Sequence, residues 1–301
     1  MRNLLFFCIG LSILNSGCTV VQRDDALELT DYTGSGQRKF QSEQGIQFPV
    51  VATFNRHGKK LHYFAARHGS GEKHPTLIKV QSLIKKLKPD CLILEGFDNT
   101  PESIQNVTEY ISRAINLKTI GEPMYAAYLA SKHNIPFMGG EPTNLEIQAR
   151  LNSKYTDEDF VFYNFIQWIP SAARKGIQLH SIAAYLEKYG YTPEDAQSTE
   201  KMLKDWLLLK LGRVPDMKTL KDSEFAAPKR QENFIGRMSH DIDDIRNLTI
   251  LDRIDDSLKT YSNVLIIYGC SHYFQQFKVL QKKYGVPTYD ATTTLSNCCV
   301  M

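Results

Sequence analysis

Two apolar patterns alternate along the chain. Unbroken runs such as Cys91-Leu92-Ile93-Leu94 and Val264-Leu265-Ile266-Ile267-Tyr268 have no polar alternation, which predicts strands covered on both faces, as in a parallel sheet. Phe48–Phe54 and Lys60–Ala66 predict two further strands, joined by the turn Asn55-Arg56-His57-Gly58-Lys59 as a hairpin. Between these runs the period changes. Leu77, Ile78, Val80, Leu83, Ile84 and Leu87 form a helical stripe that begins with Pro75 in its first turn. Helices are also predicted over Pro101–Leu117, Glu122–His133, Asp241–Tyr261 and Gln275–Tyr284, and short strands over Ile135–Gly140 and Thr288–Tyr289. From about 144 to 238 aromatic and leucine stripes recur at helical spacing with no strand signal.

The order strand, helix, strand is that of a βαβ unit with its right-handed crossover. The expected fold is α/β: a mostly parallel central sheet flanked by helices, with a large all-helical insertion between its two halves. One domain, 46–301, is expected, since 301 residues with 42% hydrophobic content suffice for one large core.

The first residues change the picture. Met1-Arg2-Asn3 precedes an apolar run, Leu4 to Leu14, too short to span a bilayer, followed by Asn15-Ser16-Gly17-Cys18. Residues 1–18 therefore predict a signal peptide. Ser16-Gly17-Cys18 resembles a bacterial lipobox, with Asn15 in place of the usual aliphatic residue, so Cys18 is the expected lipidation point. That implies a lipoprotein anchored to a bacterial membrane, or a secreted or periplasmic protein of the cell envelope. The polar stretch 19–45 is expected to be a flexible tether.

The remaining cysteines form no disulfide framework. Cys298-Cys299-Val300-Met301 spells a prenylation box that an exported bacterial protein would not use. The net charge of +3, with both signs interspersed, leaves no nucleic-acid footprint, so no nucleic-acid partner is expected.

Chemistry gathers at strand ends. His68, Glu95, Glu141 and His272 each follow an apolar run, and parallel strands share one carboxyl edge, where open α/β folds place their ligands. Gly269, at the end of the last long strand, permits a close backbone approach. Arg246 either faces this rim as a charge-stabilising donor or pairs with Asp243 or Asp244 at helical spacing. His57, His62 and His74 are expected on exposed loops or strands. Ser70 and Ser271 lack a Gly-x-Ser-x-Gly setting, and Cys270 is expected to be packed.

The segments "LHYFAARHGSGEKHPTLIKVQSLIKKLKPDCLILEGF" and "IRNLTILDRIDDSLKTYSNVLIIYGCSHY" resemble the Tiki/TraB, erythromycin esterase and ChaN haem-binding superfamily over about half the chain. The resemblance implies that His68 and His272 are paired histidines, Glu95 the essential carboxylate and Arg246 the partner arginine. Ala65 stands where the first motif of that superfamily has glycine. The activity implied is hydrolysis of an ester or amide bond in a small-molecule or peptide substrate. Water is activated either by a divalent metal (Mn, Co or Zn) on His68, Glu95, His272 and Glu141, or without metal by His and Glu as general base. Arg246 then stabilises the oxyanion, and Arg67, Gly69, Asn247 and Tyr273 are assigned to substrate binding. The alternative is a ChaN-like surface lipoprotein binding haem or iron, for which Tyr63, Tyr268 and Tyr273 supply candidate ligands; a catalytically inert scaffold is a further alternative. No nucleotide cofactor is expected.

Overall fold

The buried runs assemble into a sheet of order β4-β3-β5-β2-β1-β6, curled as a half-barrel. Its strands are β1 (Val50–Arg56), β2 (Lys59–Ala66), β3 (Cys91–Asp98), β4 (Phe137–Glu141), β5 (Asn263–Gly269) and β6 (Thr288–Asp290). The structure is a computed structural model and describes residues 29–30, 34–113, 118–174, 182–188, 190–214 and 233–290. The predicted signal peptide, Cys18 and the C-terminal cysteines lie outside the described residues. Among the described residues no helix is long and apolar enough to cross a membrane.

β4, β3, β5 and β2 run parallel, and β1 and β6 add an antiparallel edge. The chain leaves β2, skips one place to β3, and only much later returns as β5 into the gap. This return places β5 at the centre, with the carboxyl ends of β2 and β3 on either side. The fold is therefore the α/β class expected from the pattern of runs.

The pleat sends alternate residues to two cores. Phe64, Ala66, Leu92, Leu94, Leu265 and Ile267 meet α2 (Pro75–Leu87), α3 (Pro101–Ser112) and α4 (Glu122–Lys132). On the other face Tyr63, Ala65, Ile93, Val264, Ile266 and Tyr268 meet α9 (Phe234–Thr260) and α10 (Cys270–Tyr284). Two-sided burial explains why these strands carry no polar alternation. α2 begins on an N-cap, His74, whose ring accepts from Thr76 N–H, and stops at Lys88 in the left-handed region, φ 46°.

A third core belongs to the helical insertion. α5 (Asn144–Leu151), α6 (Asp157–Arg174), α7 (Ile182–Lys188) and α8 (Pro193–Leu211) bury Phe160, Ile166, Leu203 and Trp206 against Ile235, Met238 and Ile245 of α9. The far half of α9 buries Ile250, Leu251 and Ile254 in the sheet core. One helix of 27 residues, starting earlier than the expected Asp241, thus belongs to both cores and carries Arg246 and Asn247 where they meet.

The tether expectation is corrected for its second half. Residues Gly34–Gln44 form α1, and Phe40, 8% exposed, packs edge-on to Phe277 with ring centroids 4.8 Å apart. Thr30 N–H also donates to Gln275 O at 3.0 Å. A single aromatic anchor in a polar stretch escapes a compositional reading, yet its burial is worth about 2 kcal/mol.

Candidate active site

His68, Glu95 and His272 meet because three neighbouring parallel strands end together. Ala66 pairs with Gly269 and Leu94 with Ile267, so each of the three residues lies within three positions of a paired strand end. At Glu95 the β3–β4 ladder is irregular: Leu94 pairs with Gly139, but the next pair is Asp98 with Glu141. The extra β3 residues form a bulge around Gly96, φ 93°, a left-handed conformation suited to glycine.

Glu95 sits at the centre, its side chain 12% exposed. Its Oε1 lies 3.9 Å from His68 Nε2, 3.7 Å from His272 Nε2 and 3.9 Å from Arg246 Nη2. Its Oε2 accepts Gly269 N–H at 2.7 Å. A methyl group at Gly269 would stand 3.0 Å from His68 Nε2 and 3.4 Å from Glu95 Oε2, so glycine leaves the space in which these groups meet. Ala65 needs no such space, being buried in the apolar core of the sheet. The glycine expected at that position is therefore not demanded by the packing here.

The outer ring nitrogens orient both imidazoles. Asn247, fully buried, donates from Nδ2 to Asp243 O at 2.9 Å and Gln275 Oε1 at 3.3 Å. Its Oδ1 therefore accepts, from Gln276 Nε2 at 2.7 Å and from His272 Nδ1–H at 3.0 Å. That network assigns the tautomer of His272 and turns its Nε2 lone pair towards Glu95. His68 is held by a residue that the sequence reading did not single out. Glu122 faces His68 Nδ1 at 2.5 Å through Oε1 and accepts Gly69 N–H at 3.2 Å through Oε2. The loop after His68 is tied to the start of α4 by Gly71 N–H donating to Ile120 O at 2.9 Å and by a Ser70–Gly121 bridge. Nothing local in Gly121-Glu122-Pro123 announces this, because it follows from the packing of α4 on α2.

These surroundings push the two histidines apart. The Glu122 hydrogen bond holds His68 up at about 8, against the opposing effect of burial and with help from Glu95. Burial, then the neighbouring Arg246 charge, lowers His272 to about 4. At neutral pH His68 is an imidazolium and His272 a neutral ring. Burial raises Glu95 above the ordinary carboxylate range, opposed by His68, the Gly269 N–H and Arg246. Burial also pushes Glu122 up, but its bonds to His68 and Gly69 outweigh this and leave it below its usual value.

Several expectations are corrected. Both oxygens of Glu141 are held by the Arg246 fork, Nε to Oε2 at 2.7 Å and Nη2 to Oε1 at 2.9 Å, and Tyr268 OH adds a bond at 3.1 Å. Glu141 is the partner of Arg246 and is not poised as a metal ligand. Burial would raise it, but Arg246 overrides this and holds it low. Arg246 satisfies both alternatives, facing the rim and donating from Nη1 to Asp243 Oδ1 at 3.3 Å. Three of its five N–H groups are thus engaged, and at 3.9 Å from Glu95 Oε1 the guanidinium acts on that carboxylate through its charge and not through a hydrogen bond.

Asn247 and Tyr273, expected to bind substrate, are buried. Tyr273 packs edge-on to Phe48 and tilted against Tyr63, and its OH lies 3.1 Å from Tyr289 OH. The amide of Gly69 is taken by Glu122, whereas Arg67 is exposed at the rim. Tyr63, Tyr268 and Tyr273, candidate haem ligands, are at most 1% exposed and belong to the sheet core. Contrary to expectation His62 is buried, with Nδ1 2.9 Å from Thr53 Oγ1, and burial lowers its pKa.

Two imidazole Nε2 atoms and one carboxylate oxygen, with both Nδ1 atoms held by hydrogen-bond acceptors, are a donor set whose chemistry suits a divalent transition metal. Their spacing is more open than a ligand shell, and among the described residues no group of three or more His, Cys, Asp or Glu is arranged to hold a metal ion. No protein-family model, curated protein or solved structure matches the chain.

Proposed function

We propose that this protein is a hydrolase of ester or amide bonds, exported and anchored at the cell envelope through Cys18. The observation that carries the reading is Glu95 Oε1 between the Nε2 atoms of His68 and His272, at the carboxyl edge of parallel strands. Accessibility divides the labour: the His68 side chain is 66% exposed and that of His272 5%. Glu95 and His68 therefore meet substrate, while His272 backs the carboxylate from inside.

A water beside Glu95 gives its proton to Oε1, and its oxygen attacks the substrate carbonyl carbon. A carboxylate raised by burial is the better base for this step. The oxyanion forms against the His68 imidazolium, with the Arg246 charge behind it. Collapse breaks the bond to the leaving group, which takes the proton of His68 Nε2. The proton on Glu95 then restores His68, and both groups return to their starting forms. Separated pKa values suit such an acid–base pair. A divalent metal held by His68, Glu95 and His272 would supply Lewis-acid polarisation and a more acidic water.

The test is a panel of ester and peptide substrates, run beside elemental analysis of the purified protein. Glu95→Gln should lower kcat by about 10²–10⁴-fold with the fold intact by circular dichroism. Wild-type protein that hydrolyses none of the panel, with or without added Mn, Co or Zn, would remove the reading.

A further inference from the structure

We propose that the cleft between α1 and the end of β2 is an anion subsite, and that the substrates cut at Glu95 carry an oxyanionic group, carboxylate or phosphate, that docks there. The proposal rests on the hydrolase reading for its catalytic half only. The cleft holds about 490 Å³, and its described wall is Arg38, Gln41, Ser42, Gly45, Ile46, Gln47 and Arg67, with no acidic residue among these described residues. That volume falls within the roughly 300–1,000 Å³ of small-molecule sites.

The charge in it is unspent. Among the described residues neither the Arg38 nor the Arg67 side chain makes a hydrogen bond or ion pair. Glu43, the acidic residue of α1, pairs with Lys39 at 3.7 Å and does not line the cleft. Two planar guanidinium forks with neutral amide and hydroxyl neighbours suit an anion that can accept paired N–H groups, a carboxylate or a phosphate.

The cleft also belongs to the catalytic rim. The pleat that sends Phe64 and Ala66 towards α2 and α4 sends Tyr63 and Ala65 towards α10, so the next residues, Arg67 and His68, leave the strand on opposite sides. α1 is tied to this rim by Gln37 Nε2, which donates to Cys270 Sγ at 3.5 Å. Cys270 directly follows Gly269, whose N–H holds Glu95. One lip of the rim therefore carries the reacting groups and the adjacent lip carries free positive charge.

The experiment compares two esters with the same leaving group, neutral 4-nitrophenyl acetate and anionic 4-nitrophenyl hemisuccinate, on wild-type protein and Arg38→Ala/Arg67→Ala. The ratio of kcat/KM, anionic over neutral, should fall at least about tenfold in the variant, mainly through KM, and recover in part with Arg67→Lys in place of Arg67→Ala. An unchanged ratio overturns the proposal. Titration calorimetry with succinate and with inorganic phosphate supplies a readout independent of catalysis. Binding to wild type that the double variant loses supports the subsite even where neither ester is cut, and the tighter of the two anions identifies the docking group. Absence of binding to wild type, or equal binding to both proteins, overturns it.

Discussion

Glu122 Oε1 lies 2.5 Å from His68 Nδ1, although 54 positions separate the two residues. This contact makes an exposed histidine an acid at neutral pH, since it holds His68 at about 8. Glu122→Gln removes the charge and should return His68 towards the ordinary 6.5. If the His68 imidazolium is the acid, the alkaline limb of the pH–rate profile moves down with it. At pH 7.5 the protonated fraction, and with it kcat/KM, should drop about eightfold. An alkaline limb unmoved by Glu122→Gln would remove His68 from the acid role.

The strand ends that carry His68, Glu95, Glu141 and His272 were legible in the sequence because each closes an apolar run, and a shared edge follows from parallel pairing. How those residues divide their roles was not. Glu141 and Glu95 both look like rim carboxylates, and only the crossing of α9 over the sheet assigns the Arg246 fork to Glu141. Asn247 and Tyr273 sit beside motif residues in sequence but turn into the core, because a helical neighbour is rotated about 100° around the axis. α1 escaped because one buried phenylalanine, Phe40, decides its docking.

Asn247 links α9 to the site through a buried bond to His272. Asn247→Leu should leave the Nδ1–H of His272 and the amide of Gln276 without their acceptor. The expected cost is about 1–3 kcal/mol of stability in urea unfolding, with a larger loss in kcat than in KM as the ring loses its orientation. Full activity in Asn247→Leu would show that the ring needs no such support.

Stability should depend on pH in a direction that His272 sets. Its folded value, about 4, lies below the unfolded 6.5, so the unfolded chain binds more protons between these limits. The contribution of the neutral, buried ring is therefore intact above pH 6.5 and is lost as pH falls towards 4, with His62 acting in the same direction. Urea midpoints at pH 7, 5.5 and 4.5 should fall in that order, by a total on the order of 3 kcal/mol from His272. His68, raised instead, contributes below pH 6.5 and loses its contribution as pH rises through 8. His272→Asn should flatten the acid limb; a limb of unchanged steepness would place the titration elsewhere.

Gly269 and Ala65 occupy matching places three residues before His272 and His68, and the structure separates their demands. A methyl group at Gly269 would meet His68 Nε2 at 3.0 Å and Glu95 Oε2 at 3.4 Å, the first of these tighter than most real contacts. Gly269→Ala should therefore displace His68 or Glu95 slightly and lower kcat by up to about tenfold, since a misplacement near 1 Å costs up to a hundredfold and the shift needed here is smaller. The fold should survive, because the backbone at Gly269, φ −57°, is open to alanine. Ala65→Gly should behave in the opposite way. Ala65 is fully buried in the apolar core, so its loss should lower stability by about 0.5–1 kcal/mol or somewhat more and leave kcat within twofold. Melting temperature and single-substrate kinetics on the two variants would settle the contrast, and a kcat that falls in Ala65→Gly while holding in Gly269→Ala would reverse the assignment of the two strand ends.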